Sequence, residues 1–113
     1  MRFEDLDVWK RSARLSANLY RALDDSREFG FKDQITRSAL SVASNIAESY
    51  ERDTPRDRIK FLHYARGSCA ELRTQLYIGI EAGFLARDVG VEWVEETREL
   101  SAMLLGLIRA WQC

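Results

Sequence analysis

The sequence predicts an all-α fold, an antiparallel up-down-up-down four-helix bundle filling a single domain over residues 1–113. Three observations predict it. Apolar residues recur at spacings of three and four along nearly the whole chain, the interval of a helix face and not of a strand. Short polar breaks divide the chain into four segments of about 20 residues, each roughly 30 Å long as a helix, and short connections force each to return beside its predecessor. Six glycines and one proline leave little material for a sheet folded on tight turns.

The first helix, about 6–23, places apolar residues at Leu6, Trp9, Ala13, Ala17, Tyr20 and Leu23, with Asp5 or Asp7 as its cap. After the break Asp24-Asp25-Ser26, a second helix at about 30–50 runs through Ile35, Ala39, Val42, Ile46 and Tyr50. The polar turn Glu51-Arg52-Asp53-Thr54-Pro55 ends in a capping threonine followed by proline at the first helical position, where its missing N–H is no loss. The third helix, about 55–82, has the spine Leu62, Ala65, Cys69, Leu72, Leu76 and Ile80 and stops at Gly83, with Phe84 and Leu85 folded back over its last turn. A further polar break at Arg87-Asp88-Val89-Gly90 precedes a fourth helix at about 91–111. That helix carries Trp93, Leu100, Leu104, Leu107 and Trp111 on one face and Glu92, Glu95 and Glu96 in its first turn, where the helix dipole favours carboxylates.

A chain of 113 residues with 46% apolar and 31% charged residues can bury a conventional core and is not intrinsically disordered. The 17 basic and 18 acidic residues leave a net charge of -1, which removes the general pull toward nucleic acid or anionic membrane and leaves such partners only a local patch. Cys69 and Cys113 form neither a disulfide framework nor a C-x-x-C motif. The acidic N-terminal stretch lacks the apolar core of a signal peptide, and no stretch is apolar enough to span a membrane. A cytoplasmic protein with no membrane partner is expected.

Two helices carry more apolar surface than one buried stripe requires. On the first, Val8, Leu15, Leu19 and Ala22 lie opposite the Leu6, Trp9, Ala13, Ala17 and Tyr20 side, separated on one flank by Ser12 and Ser16. On the third, Phe61, Tyr64, Ile78 and Ala82 lie away from the spine. Val8, Leu15, Leu19, Phe61, Tyr64 and Ile78 are therefore candidates for an interface between copies of the chain.

Enzyme constellations are mostly missing. His63 is the one histidine, so a His-His metal site or the paired Glu-x-x-His motif of di-iron bundles cannot be built within a chain, and there is no phosphate loop or nucleophile elbow. No enzyme activity, cofactor or metal is expected. Cys69 reads as a small buried hydrophobe. Gln34, Ser38, Ser41, Asn45 and Glu48 fall on one strip of the second helix, placed to hydrogen-bond across to Ser68, Glu71 or Gln75 or to line a small polar pocket. Arg66 and Arg73, at the edge of the third helix's core stripe, call for a carboxylate such as Glu48 or Glu71. Lys10, Arg11, Arg14 and Arg21 make a basic stripe on the first helix, while residues 88–101 are acidic. A solvated face, charge matching between subunits and phosphate binding are the uses open to that stripe.

Several motifs resemble a known family. Phe3-Glu4-Asp5-Leu6-Asp7-Val8-Trp9, Phe29-Gly30-Phe31-Lys32-Asp33-Gln34-Ile35-Thr36-Arg37-Ser38-Ala39, Ser44-Asn45-Ile46-Ala47-Glu48, Ala65-Arg66-Gly67-Ser68, Glu71-Leu72 and Thr74-Gln75-Leu76 are similar to those of the small bacterial four-helix bundles called 23S ribosomal RNA intervening sequence proteins. The resemblance covers nearly the whole chain and implies a homopentamer. Ser49 stands where the family usually has glycine and Ala43 where proline is common, so the exit of the second helix is expected to be more regular here. A related branch resembles accessory proteins of diversity-generating retroelements, basic pentamers that hold nucleic acid and a reverse transcriptase; this slightly acidic chain departs from it. The resulting expectation is a self-assembling scaffold or protein-binding module. The alternative is an accessory protein that binds RNA or single-stranded DNA.

Overall fold

The computed structural model describes residues 2–112, and Cys113 lies outside them. A single 3₁₀ turn at Phe3–Asp5 leads into four helices, α1 (Asp7–Ala22), α2 (Phe29–Tyr50), α3 (Pro55–Ala82) and α4 (Arg87–Gln112), with no strand among the described residues. The helices lie along a rod of 44 × 21 × 19 Å. Contacts that cross between helices run in opposite sequence directions. Ser38 meets Glu71 while Ser41 meets Ser68, and Arg66 meets Ser101 while Arg73 meets Thr97, so neighbours are antiparallel. Each helix packs on the next in the chain, α3 most extensively on both α2 and α4, and α1 touches α4 least.

The capping chemistry is strongest at α3. Thr54 Oγ1 accepts the Asp57 amide at 3.2 Å and Pro55 opens the helix. At its other end Gly83 takes a left-handed conformation (φ 80°), and the Phe84 amide returns to the Gly79 carbonyl at 2.8 Å. Leu85 is buried and Phe84 packs its ring on Phe31, centroids 5.2 Å apart, as the sequence implied. α1 differs from expectation: its cap position is Leu6, and neither Asp5 nor Asp7 caps it through a side chain.

The fourth helix starts four residues earlier than the polar break suggested. Gly90 is a packing residue inside α4 and not a turn, because a Cβ there would lie 2.5 Å from Ile80 Cγ1 of α3. Close approach of the Ile80 side chain to the α4 backbone, for which glycine leaves room, is what the sequence disguised as a break. α2 runs without interruption to Tyr50, with Ser49 fully buried and its hydroxyl donating to the Ile46 carbonyl at 2.6 Å.

Leu62, Ala65, Cys69, Leu72 and Leu76 of α3 and Ile35, Ala39, Val42 and Ile46 of α2 form the core as expected, with Leu100, Leu104 and Ile108 of α4. α1 faces it the other way round. Its buried residues are Val8, Ser12, Leu15, Ser16 and Leu19, so Val8, Leu15 and Leu19 belong to the subunit's own core and are not free to form an interface. Ser12 explains the inversion. Its hydroxyl donates to the Val8 carbonyl at 2.7 Å, which satisfies it within the helix and lets it pack as a small core residue rather than mark a polar edge. Trp9, Ala13 and Tyr20 consequently sit toward the outside.

Candidate functional site

Four surfaces carry the chemistry of this chain: two seams flanking α3, the ion-paired seam between α1 and α4, and the apolar exterior. On the α2 flank of α3, Ser38 Oγ donates to Glu71 Oε1 at 2.6 Å, and the Ser41 and Ser68 hydroxyls lie 2.9 Å apart. Asn45 Nδ2 donates to the Ser41 carbonyl at 2.9 Å and to its hydroxyl at 3.0 Å. Glu71 and Asn45 thus join the expected interhelix network. The remaining candidates do not. Gln34 is exposed, Glu48 pairs with Arg52 in the turn after α2, and the Gln75 amide oxygen is buried with no partner among the described residues.

Arg66 and Arg73 lie on the opposite flank, against α4, and neither pairs with Glu48 or Glu71. At 100° per residue Arg66 and Glu71 are about 140° apart around α3, an angle that separates them before any tertiary contact is considered. Arg66 Nε instead donates to Ser101 Oγ at 3.4 Å. Arg73 donates through Nε to Thr97 Oγ1 at 2.9 Å and through Nη2 to the Thr97 carbonyl at 3.3 Å. The same carbonyl accepts from Cys69 Sγ at 3.1 Å, and burial pushes the Cys69 thiol up, as expected of a packing residue rather than a nucleophile. A groove of about 340 Å³ opens over this seam, lined by His63, Arg66, Gly67, Ala70, Arg73 and Ser101. It continues along α4 to Arg98, whose Nη2 donates to the Tyr77 hydroxyl at 2.8 Å and whose Nε lies 3.5 Å from Glu95.

The basic stripe of α1 is partly consumed inside the subunit. Arg11 holds Glu96 with two donors, Nε at 2.9 Å from Oε2 and Nη2 on Oε1, and reaches Glu99 at 3.1 Å. These two carboxylates raise the Arg11 pKa above its ordinary value, chiefly through their hydrogen bonds. Lys10, Arg14 and Arg21 stay exposed, Arg21 donating to Asn18 Oδ1 at 3.3 Å. Charge matching therefore occurs between α1 and α4 of one chain.

Two parts of the apolar exterior bear on assembly. One is a groove of about 320 Å³ between α1 and α2, lined by Trp9, Ala13, Leu40, Ala43 and Ala47 among others, with Tyr20 and Leu40 exposed at 45% and 49%. The other is the outer face of α3, where Tyr64 and Ile78, about 20 Å apart along the helix, are exposed at 52% and 55% and half-buried Phe61 lies beneath the Arg52 guanidinium, 4.4 Å from its ring centroid. Phe61, Tyr64 and Ile78 thus remain on the surface where the sequence placed them. Leu40 escaped notice because it adjoins the core residue Ala39 on a helix otherwise read by its spine. Among the described residues no cluster of three or more His, Cys, Asp or Glu side chains could hold a metal ion, and no helix is long and apolar enough to cross a membrane.

This all-helical architecture, with a hydroxyl-rich seam on one side of its longest helix and arginines on the other, places the chain in a class of small four-helix proteins. The chain belongs to the family of 23S rRNA-intervening sequence proteins, whose pattern matches residues 4–106. It is similar in structure to a protein of unknown function from the S23 ribosomal protein family of Bacteroides thetaiotaomicron VPI-5482, with a TM-score of 0.83 and 26% identity over 89% of this chain and 97% of that one. A comparison with curated proteins finds no match.

Proposed function

We propose that this chain is a non-enzymatic, cytoplasmic, self-assembling bundle, a homopentamer that serves as a scaffold or protein-binding module. The observation that supports this reading is the set of apolar side chains at the surface on different sides of one bundle, Trp9, Tyr20 and Leu40 on the α1–α2 side and Tyr64 and Ile78 along α3. Two unlike patches suit a heterologous contact, in which one side of a subunit meets the other side of the next and a ring closes the series. A patch that met itself would suit a dimer instead.

Light scattering at micromolar concentration tests it. Five chains of 13.1 kDa give about 65 kDa, and the double variant Leu40→Glu, Tyr64→Glu is expected to fall to the monomer mass while keeping its helical circular dichroism. A monomeric parent chain overturns the proposal. A second reading, binding of RNA or single-stranded DNA, is favoured by exposed Lys10, Arg14 and Arg21, repeated around a ring as a multivalent cationic surface. That binding would fall steeply with salt and with Arg14→Glu, Arg21→Glu.

A further inference from the structure

We infer that the groove between α3 and α4 is a binding site for a phosphate group, with Arg66 and Arg73 as its principal donors and His63, Ser101 and Arg98 at its margin. The inference does not depend on self-assembly. Both arginines are half-buried, and among the described residues neither forms an ion pair with a carboxylate. A guanidinium presents five N–H donors, and the protein engages only Nε of Arg66, and Nε and Nη2 of Arg73, through neutral hydroxyl and carbonyl oxygens. The other donors have no protein acceptor among the described residues, and both side chains line the groove.

The acidic residues of α4 that might have neutralised them are held elsewhere. Glu96 and Glu99 bind Arg11 on the α1 side, and Glu95 lies beside Arg98. Glu71 sits on the other flank of α3, bonded to Ser38. The protein thus fixes two cations by their Nε atoms to Thr97 and Ser101, one turn apart on α4 and so about 5 to 6 Å along the helix. An oxyanion lying between them can accept from both forks at once, and a tetrahedral phosphate has acceptors enough for Ser101 and His63 besides. Gly67 and Ala70 line the α3 wall with minimal side chains, leaving the groove open for the anion. Hydrogen bonds to Thr97 and Ser101 distinguish these arginines from the exposed Lys10 and Arg14 of α1.

A phosphate on a small molecule and one in a nucleic-acid strand share this chemistry, and the experiment separates them. The full chain is titrated at low salt with inorganic phosphate, adenosine monophosphate and a fluorescein-labelled single-stranded oligonucleotide. Titrations follow amide and Arg Nε NMR shifts for every probe, with anisotropy added for the strand. Shifts centred on Arg66, Arg73 and Ser101 with either small probe assign a small-molecule site, and binding of the oligonucleotide alone, with the same residues shifted, assigns a strand. In both cases Arg66→Gln, Arg73→Gln is expected to weaken binding roughly tenfold or more, while Arg14→Gln, Arg21→Gln changes it less than about twofold. Circular dichroism and light-scattering mass of the variant should match the parent. If Arg73→Gln loosens the fold, Arg66→Gln alone carries the test, since its single long bond to Ser101 holds little of the structure. No binding of any probe, binding that Arg66→Gln leaves unchanged, or equal loss in the α1 control overturns the assignment.

Discussion

Arg11 on α1 and the pair Arg66 and Arg73 on α3 all reach α4, and they meet opposite chemistry there. Arg11 finds Glu96 and Glu99 and has its charge paired, whereas the α3 arginines find the hydroxyl oxygens of Thr97 and Ser101. One seam is the thinnest contact in the bundle and the other among the most extensive. α4 therefore carries its carboxylates toward the helix it touches least and its hydroxyls toward a helix it packs against closely. The difference shows what ion pairs and core packing each do here. Partly exposed ion pairs orient α1, while α3 is held by apolar burial and tolerates uncompensated charge at its edge.

The largest test of that contrast is Leu19→Glu. Leu19 is fully buried beneath the side of α1 that the ion pairs orient, and a carboxylate there costs about 4 kcal/mol or more, enough to abolish cooperative unfolding and most helical signal. A folded monomer carrying this change would mean that the Arg11 ion pairs, and not the core, hold α1 in place.

A smaller effect is expected at Thr97→Val. The shape is kept while Arg73 Nε loses its acceptor and Val94 its hydroxyl donor, for a loss of about 1–2 kcal/mol by urea denaturation. Arg73 keeps its bond to the Thr97 carbonyl, so the loss should be incomplete. If stability is unchanged, Arg73 is not preorganised, and the two seams differ less than their geometry implies.

The smallest expected change is Arg11→Gln, about 0.5–1 kcal/mol at low salt and less as salt screens the pair. Its pKa is raised by folding, so its contribution is fully present below the ordinary arginine range and is lost only as pH rises through the still higher folded value. The stability difference between Arg11→Gln and the parent should therefore be flat from neutral to moderately alkaline pH. A difference that grows with salt, or that fades in that range, would show that Arg11 acts by packing its stem against α4, where Nη1 lies 3.6 Å from Met103 Sδ, and not by charge.

Much of this molecule is written in its one-dimensional pattern. The four helices, the Thr54-Pro55 start, the Gly83 stop and the spines of α2 and α3 follow from periodicity and capping, because these depend on neighbours within a turn or two. Ser41 with Ser68 and Ser38 with Glu71 were also readable, since a strip beside a known core face must meet the adjoining helix. The face of α1 was not. Ser12 and Ser16 look polar in a sequence, yet both are buried, and the Ser12 hydroxyl is buried at little cost because it bonds its own helix backbone, which only packing reveals. Gly90 was hidden for a similar reason, since a turn glycine and a close-contact glycine share one letter and only Ile80 across the seam distinguishes them. The charge of a surface likewise depends on what faces it: Arg11 and Arg66 are equivalent as residues, and the three-dimensional course of α4 alone decides that one meets carboxylates and the other does not, because Coulomb and hydrogen-bond terms act over a few ångströms of space and not along the chain.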